Sequence, residues 1–161
     1  MKYNAFEIIE MAKRMEDNAA FFYRTAADRV KDPDAKRLLE ELAEMEDVHK
    51  MVFNDYKSFF SEEEWSNMNY DSDGDMFHYL EEMADSIVFD LKRSDEEMSG
   101  LDDVDSIFRF AIDKEKQSVL YYTGIRELVP EALGKDKITE IIREEMKHVA
   151  ILSDARAKFG K

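Results

Sequence analysis

Two Glu-x-x-His motifs, Glu46–His49 and Glu145–His148, interrupt the apolar stripes of two predicted helices. The three-residue step places the carboxylate and the imidazole of each motif on one helix face, one turn apart. Isolated charges in an apolar stripe cost several kcal/mol unless something neutralises them. The motifs therefore predict that the buried side of each helix binds a cation.

Two further glutamates, Glu16 and Glu115, lie in the apolar stripes of the helices that precede the motifs. Each lies 30 residues before the glutamate of its motif. The midpoints of the two pairs, Lys31 and Pro130, fall inside predicted turns. The two glutamates of each hairpin are therefore expected at one level, and all four meet if the hairpins align.

Together the six residues have the composition of a dinuclear metal site. Four carboxylates balance two divalent cations, and two imidazoles complete the ligand set. Mixed oxygen and nitrogen ligands suit iron or manganese and do not exclude zinc. The alternative is a buried salt-bridge network, but the stripes bring no lysine or arginine to this level. The third histidine, His78, has no counterpart in the other hairpin and is interpreted as a non-ligand.

Apolar periodicity predicts the helices that position these residues. The pattern indicates an all-α chain of two helical hairpins joined by a long crossover that contains one short extra helix. Asn4 with Glu7, and Asp32 with Pro33, are typical helix starts. The predicted long helices cover about residues 4–30, 32–60, 104–129 and 135–159, and the short helix covers about 75–91.

The two hairpins form an internal repeat with a displacement of 99 residues. Glu16 recurs as Glu115, and the first Glu-x-x-His motif recurs as the second. Tyr23 and Tyr122 also correspond, two turns after the glutamate on the same stripe. Each tyrosine is interpreted either as a functional residue, hydrogen bonded to a ligand carboxylate or placed for electron transfer, or as a core aromatic residue.

Composition limits the remaining function classes. A net charge of −15 argues against nucleic acid and anionic membrane surfaces as partners, because both require a basic face. The absence of cysteine excludes disulfides and thiolate-bound metals within these residues. No membrane-spanning or signal-peptide pattern is present in the sequence, which favours a cytoplasmic protein.

The paired motifs and their preceding glutamates resemble the ferritin-like di-iron carboxylate superfamily, in its rubrerythrin and bacterioferritin branch. The resemblance implies a four-helix bundle forming a single domain over residues 1–161, with hairpins at about 4–60 and 103–159 and a crossover at about 61–102. It implies two iron ions per chain. Glu46 and Glu145 would bridge them, and Glu16 with His49 and Glu115 with His148 would be the terminal ligands.

Two departures from rubrerythrins affect the expected activity. Rubrerythrins usually carry a further glutamate one turn after the glutamate of the third long helix, and this sequence has Ser118 there. They also commonly carry a Cys-rich rubredoxin domain as electron donor. The resemblance therefore implies a separate donor, such as a rubredoxin-like protein.

Three functions remain open from the sequence. The first is an oxidoreductase, expected as a homodimer, that reduces hydrogen peroxide or dioxygen and so scavenges oxidants. The second is a ferroxidase that stores iron in a cage. The third is a non-catalytic bundle whose metal ions, such as zinc, are structural and whose acidic surface binds a protein partner.

Overall fold

The long helices begin and end close to the predicted residues. In a computed structural model, residues 4–58, 61, 63, 73–87, 98–129, 131 and 134–160 are described, with side chains omitted at 84–87. No strand occurs among them, so the all-α prediction is confirmed. The helices are α1 (Ala5–Arg29), α2 (Pro33–Ser58), α3 (Asp75–Ile87), α4 (Val104–Leu128) and α5 (Lys135–Phe159). None of these helices combines the length and apolar character needed to cross a lipid bilayer.

The helix starts use the capping residues that the sequence predicts. The Asn4 side chain accepts from the Glu7 backbone amide, while the Glu7 carboxylate accepts from the Asn4 amide. The Asp32 carboxylate accepts from the amides of Asp34 and Ala35 at the start of α2. The predicted ends of the second long helix at residues 59–60 and of the short helix at 88–91 lie outside the described residues.

The four long helices form an antiparallel arrangement around one centre. Within each hairpin, α1 packs on α2 and α4 packs on α5; between hairpins, α1 contacts α4 and α2 contacts α5. Phe22, late in α1, contacts Phe110, early in α4. Conversely Tyr121, late in α4, donates to the carbonyl of Ile8, early in α1. Thus α4 begins at the end of the bundle opposite to where α2 finishes, as the long crossover predicts.

The apolar core consists of two clusters, one toward each end of the bundle. The first includes Ile8, Phe53 and Ile125, and the second includes Tyr23, Leu39 and Phe108. Burial of such side chains contributes about 25 cal/mol per Å² of apolar surface, which holds the four helices together. The predicted ligand residues lie between these clusters in sequence, so the stripe changes from apolar to ionisable and back along each helix.

The crossover helix α3 packs on α4 at a position that requires glycine. A Cβ atom at Gly124 would lie 2.8 Å from Leu80 Cδ2 and 3.0 Å from Tyr79 Cε1. Leu80 is fully buried, and the Tyr79 hydroxyl donates to the Leu120 carbonyl at 3.2 Å. Because Gly124 leaves room for these side chains, it allows α3 to approach the bundle closely.

We expect Gly124→Ala to lower the free energy of unfolding by about 1 kcal/mol. Overpacking costs about 1–3 kcal/mol, and the better helix propensity of alanine returns about 1 kcal/mol. Urea denaturation of the wild type, Gly124→Ala, Leu80→Ala and the double variant measures this effect. In the Leu80→Ala background the cost should vanish; an equal cost in both backgrounds would show that Leu80 is not the obstacle.

Candidate metal centre

The structure brings all six predicted ligand residues together at the middle of the bundle. Each is buried, with an exposed fraction of 3% or less. They form two overlapping groups whose candidate ligand atoms lie within 4.8 Å of one another. We call them the Glu16–His49 half (Glu16, Glu46, His49 and Glu145) and the Glu115–His148 half (Glu46, Glu115, Glu145 and His148).

One glutamate comes from each of α1 and α4, and one Glu-x-x-His motif comes from each of α2 and α5. Glu46 and Glu145 belong to both halves. This placement is compatible with the bridging role that the resemblance implies, although the assignment of the six residues as ligands stays a prediction. The exposed His78, on α3, does not belong to either group.

Both histidines direct Nδ1 toward the carboxylates. His49 Nδ1 lies 2.8 Å from Glu145 and 3.5 Å from Glu46. His148 Nδ1 lies 3.1 Å from Glu46 and 3.2 Å from Glu145. The two rings are stacked, with centroids 5.6 Å apart and planes inclined by 20°. The imidazoles therefore face the shared glutamates from neighbouring positions.

Four buried atoms of the Glu16–His49 half make no hydrogen bond of standard geometry, although two of them, His49 Nδ1 and Glu145 Oε1, lie 2.8 Å apart. Polar atoms that are buried without partners are rare, because each costs about 1–3 kcal/mol. A cation held between them would satisfy these lone pairs, and oxygen with imidazole nitrogen is a suitable donor set for iron or manganese. The group therefore fits a metal ion. The unpartnered atoms are Glu16 Oε1, Glu46 Oε1, His49 Nδ1 and Glu145 Oε1.

Without metal, the carboxyl groups divide into two kinds. Burial, and then the charges of Glu46 and Glu145, raise the pKa of Glu16 and Glu115 well above the usual range. Burial acts in the same direction on Glu145, but the two histidines outweigh it and lower its pKa. The pKa of Glu46 is also lowered, by Glu16 and both histidines against burial and the charge of Glu145.

The histidines complete the charge balance of the metal-free centre. Burial disfavours their protonation, but the surrounding carboxylates outweigh it. The pKa of His49 is raised to about 10 and that of His148 to about 12. The environment thus favours imidazolium at both histidines and the neutral form at Glu16 and Glu115, and metal ions would replace protons held by these groups.

Tyr23 and Tyr122 contact the centre in different ways, although they correspond in the repeat. The Tyr23 hydroxyl donates a hydrogen bond to Glu115 Oε1, across the bundle. The Tyr122 hydroxyl has no hydrogen-bond partner of standard geometry among the described residues. The pKa of Tyr122 is nevertheless raised, first by burial and then by the nearby charge of Glu16. Tyr23 therefore makes a hydrogen bond of standard geometry to a glutamate of the other hairpin, whereas the contact of Tyr122 with Glu16 lacks that geometry.

We expect Tyr23→Phe to weaken Zn²⁺ binding about tenfold, because Glu115 loses the group that orients it. Calorimetric titration measures this affinity. Tyr122→Phe is the matched control and should change the affinity much less, since its hydroxyl makes no hydrogen bond of standard geometry. Equal losses in the two variants would contradict the assigned role of the Tyr23 hydroxyl.

A small cavity lies beside Glu115, between α1 and α4. Ala19, Tyr23 and Ser118 line it together with Ala111, and its surface is almost entirely apolar. It contains about 10 Å³ of space for the centre of a water-sized sphere, which is close to what one water requires. Ser118, at the place of the additional rubrerythrin glutamate, thus leaves a space near the metal centre.

Glu144 and Met45 are contacts that the sequence did not reveal. His49 Nε2 lies 2.7 Å from Glu144 Oε2, whereas His148 Nε2 lies 3.3 Å from Met45 Sδ. A methionine next to a buried stripe is usually a packing residue, and Glu144 resembles any exposed glutamate. Their position immediately before the motif glutamates was the available signal, but a histidine partner follows only from the packing of α2 against α5.

Comparison with known proteins identifies the first part of the chain. A family model described as Rubrerythrin matches residues 4–86, just over half of the 161 residues. The match contains Glu16, Glu46 and His49; the other three candidate ligands lie beyond it and are connected to them by the internal repeat. Neither a curated protein nor a solved structure matches the chain.

Proposed function

The chain belongs to the rubrerythrin family, and from this membership and the geometry of its centre we propose that it is a di-iron oxidoreductase. Its proposed reaction is the reduction of hydrogen peroxide or dioxygen with electrons from a separate donor. Reduction of hydrogen peroxide takes two electrons and two protons and gives two waters. Two ferrous ions, each giving one electron, would supply the electron pair.

The observation that carries this proposal is the convergence of four buried glutamates and two buried histidines in two overlapping groups, each with its candidate ligand atoms within 4.8 Å of one another. Glu46 and Glu145 would hold both ions, because each belongs to both halves. Glu16 and His49 would complete one coordination shell, and Glu115 with His148 would complete the other. The apolar clusters on either side exclude water, so the carboxylates and imidazoles are held in place without competing solvent.

The cavity beside Glu115 supports the proposal that the oxidant is a small, uncharged molecule. Its space, about that of one water molecule, matches dioxygen or hydrogen peroxide in size, and Lys114 and Glu115 are among the residues that line its mostly apolar surface. Small side chains at Ala19 and Ser118 keep this space open between α1 and α4. Tyr23 holds Glu115 at the inner wall of the cavity, so that carboxylate would keep its orientation while an oxidant enters.

The electron donor is proposed to be another protein with its own redox centre. The 161 residues contain no cysteine, so a thiolate-bound iron donor is not among them. We further propose that the protein is a homodimer and not a storage cage. Size-exclusion chromatography with light scattering distinguishes the two assemblies, because a cage contains many more chains.

Rapid mixing of the anaerobic, ferrous-loaded protein with hydrogen peroxide or air-saturated buffer tests the reaction. Absorption spectroscopy follows iron oxidation, and peroxide is assayed directly. The proposal expects one peroxide consumed per two ferrous ions, followed by repeated turnover when a reductant is added. Redox inertness of the loaded protein would overturn the proposal and favour structural metal ions. Continued iron uptake into a large assembly would instead identify iron storage.

A further inference from the structure

The two halves of the centre differ in what contacts the outer nitrogen of each histidine. His49 Nε2 meets a carboxylate oxygen of Glu144 at 2.7 Å, and His148 Nε2 meets the thioether sulfur of Met45 at 3.3 Å. The 99-residue displacement of the repeat relates Met45 to Glu144. The ligand types are the same in both halves, so this pair is a chemical difference between them.

The outer contact affects how strongly each imidazole can bind a cation. A neutral imidazole that binds metal through Nδ1 carries its one proton on Nε2. A carboxylate accepts that proton in a strong, charge-assisted hydrogen bond, which increases the electron density at Nδ1. A thioether sulfur is only a weak acceptor. His49 is thus the better donor, and its ring is held more firmly.

Both halves contain close contacts between an imidazole and a carboxylate inside the centre. In the Glu115–His148 half, Glu115 accepts from Tyr23, and His148 Nδ1 is hydrogen bonded to Glu145 at 3.2 Å. In the Glu16–His49 half, His49 Nδ1 lies 2.8 Å from Glu145 Oε1, although without standard hydrogen-bond geometry. A cation in either half would displace an imidazole–carboxylate contact, so the inference rests on the outer contacts of the two histidines.

From these observations we propose that Glu144 is a positioning residue that makes the two metal-binding halves unequal. The Glu16–His49 half binds a divalent cation more tightly and fills first. Hydrogen bonding to a metal-ligating histidine typically changes affinity about 10–100-fold. Because the Glu144 side chain is 50% exposed, we expect an effect of about tenfold, at the lower end of that range. This inference rests on the proposed dinuclear centre but not on its reaction.

Variants that retain one half allow each affinity to be measured separately. His148→Ala leaves the Glu16–His49 half, and His49→Ala leaves the Glu115–His148 half. Calorimetric Zn²⁺ titration should show about tenfold tighter binding in the first variant. Adding Glu144→Met should remove this advantage, while Met45→Glu in the second variant should increase its affinity about tenfold.

A spectroscopic measurement separates positioning from a general loss of stability. In the Co²⁺-loaded His148→Ala protein, the Nε2 proton of His49 gives a paramagnetically shifted NMR signal. Exchange of this proton with water should be slow with Glu144 and faster after Glu144→Met. Glu140→Met removes the same charge from an exposed position one turn earlier in α5 and should leave the signal unchanged.

Three results would overturn the inference. The first is equal Zn²⁺ affinity of the two halves. The second is a change in the exchange rate of the His49 Nε2 proton after Glu144→Met that is no larger than the change after Glu140→Met. The third is that Glu144→Met lowers the Zn²⁺ affinity of both halves equally. Failure of the wild type to bind any divalent ion at the centre would overturn the proposed function as well, which distinguishes that outcome from the others.

Discussion

Replacing Glu46 and Glu145 together with alanine will reduce ferrous binding at the centre from two ions per chain to none. Both residues belong to both halves, so each four-residue group would retain one carboxylate and one imidazole. Two donors leave most of the coordination shell of a divalent ion to water. An anaerobic ferrous titration, followed by absorption spectroscopy and metal analysis, should lose its break near two ions per chain.

The internal repeat provides a matched control for this double variant. Glu41 and Glu140 are exposed, lie on the same two helices and are themselves related by 99 residues. Glu41→Ala/Glu140→Ala therefore removes the same formal charge and should retain two-ion binding. Glu16→Ala removes a ligand from one half only and should reduce binding to one ion. A Glu46→Ala/Glu145→Ala protein that still bound two ions would disprove the assignment of these ligands.

The sequence could predict the bundle and the location of its centre because both follow from periodicity. The spacing of the apolar residues defines the long helices, and the places where Glu and His interrupt it define the level at which they meet. Equal distances from the turns then bring Glu16 next to Glu46 and Glu115 next to Glu145. These relations depend on helical geometry alone and hold without knowledge of side-chain rotamers.

Contacts between the hairpins could not be predicted in the same way. Tyr23 lies on the stripe of Glu16 but donates to Glu115, because α1 and α4 are antiparallel and the hydroxyl extends across the bundle. The contact of Glu144 with His49 depends on how α5 is rotated and shifted against α2. Such offsets arise from side-chain packing between helices, to which a single-helix pattern is insensitive.

The metal-free protein will become less stable as pH rises from 6.5 to 8.5. The folded state keeps His49 and His148 protonated up to about pH 10 and 12, whereas the unfolded chain releases these protons near 6.5. Their stabilisation is therefore complete below pH 6.5 and is lost as pH rises toward the folded-state values. The raised pKa values of Glu16 and Glu115 act in the same direction above pH 4.5.

The expected loss is large enough to measure by thermal unfolding. One proton retained by the folded state costs about 1.4 kcal/mol per pH unit, or about 2.7 kcal/mol over this range. For a chain of this size, that corresponds to a decrease in Tm of at least about 5 °C. Circular dichroism melts of chelator-treated protein in buffers from pH 6.5 to 8.5 should show the decrease.

Metal ions should change this pH dependence, because binding replaces the protons that the folded state retains. Zn²⁺ affinity rises with pH, since fewer protons then have to be displaced. At a fixed excess of Zn²⁺, the difference in Tm between loaded and metal-free protein should therefore widen from pH 6.5 to 8.5. The same melts, repeated with Zn²⁺, measure this difference.

A variant that mimics the protonated carboxyl groups identifies the source of the effect. Glu16→Gln/Glu115→Gln keeps the shape of the neutral groups and removes two of the titrating sites. Its metal-free Tm should fall less steeply with pH than that of the wild type, and its stabilisation by Zn²⁺ should be much smaller. If the metal-free wild type were equally stable from pH 6.5 to 8.5, the folded centre would not retain extra protons. The charge balance inferred for the metal-free centre would then be wrong, although the ligand assignment would still depend on the ferrous titration.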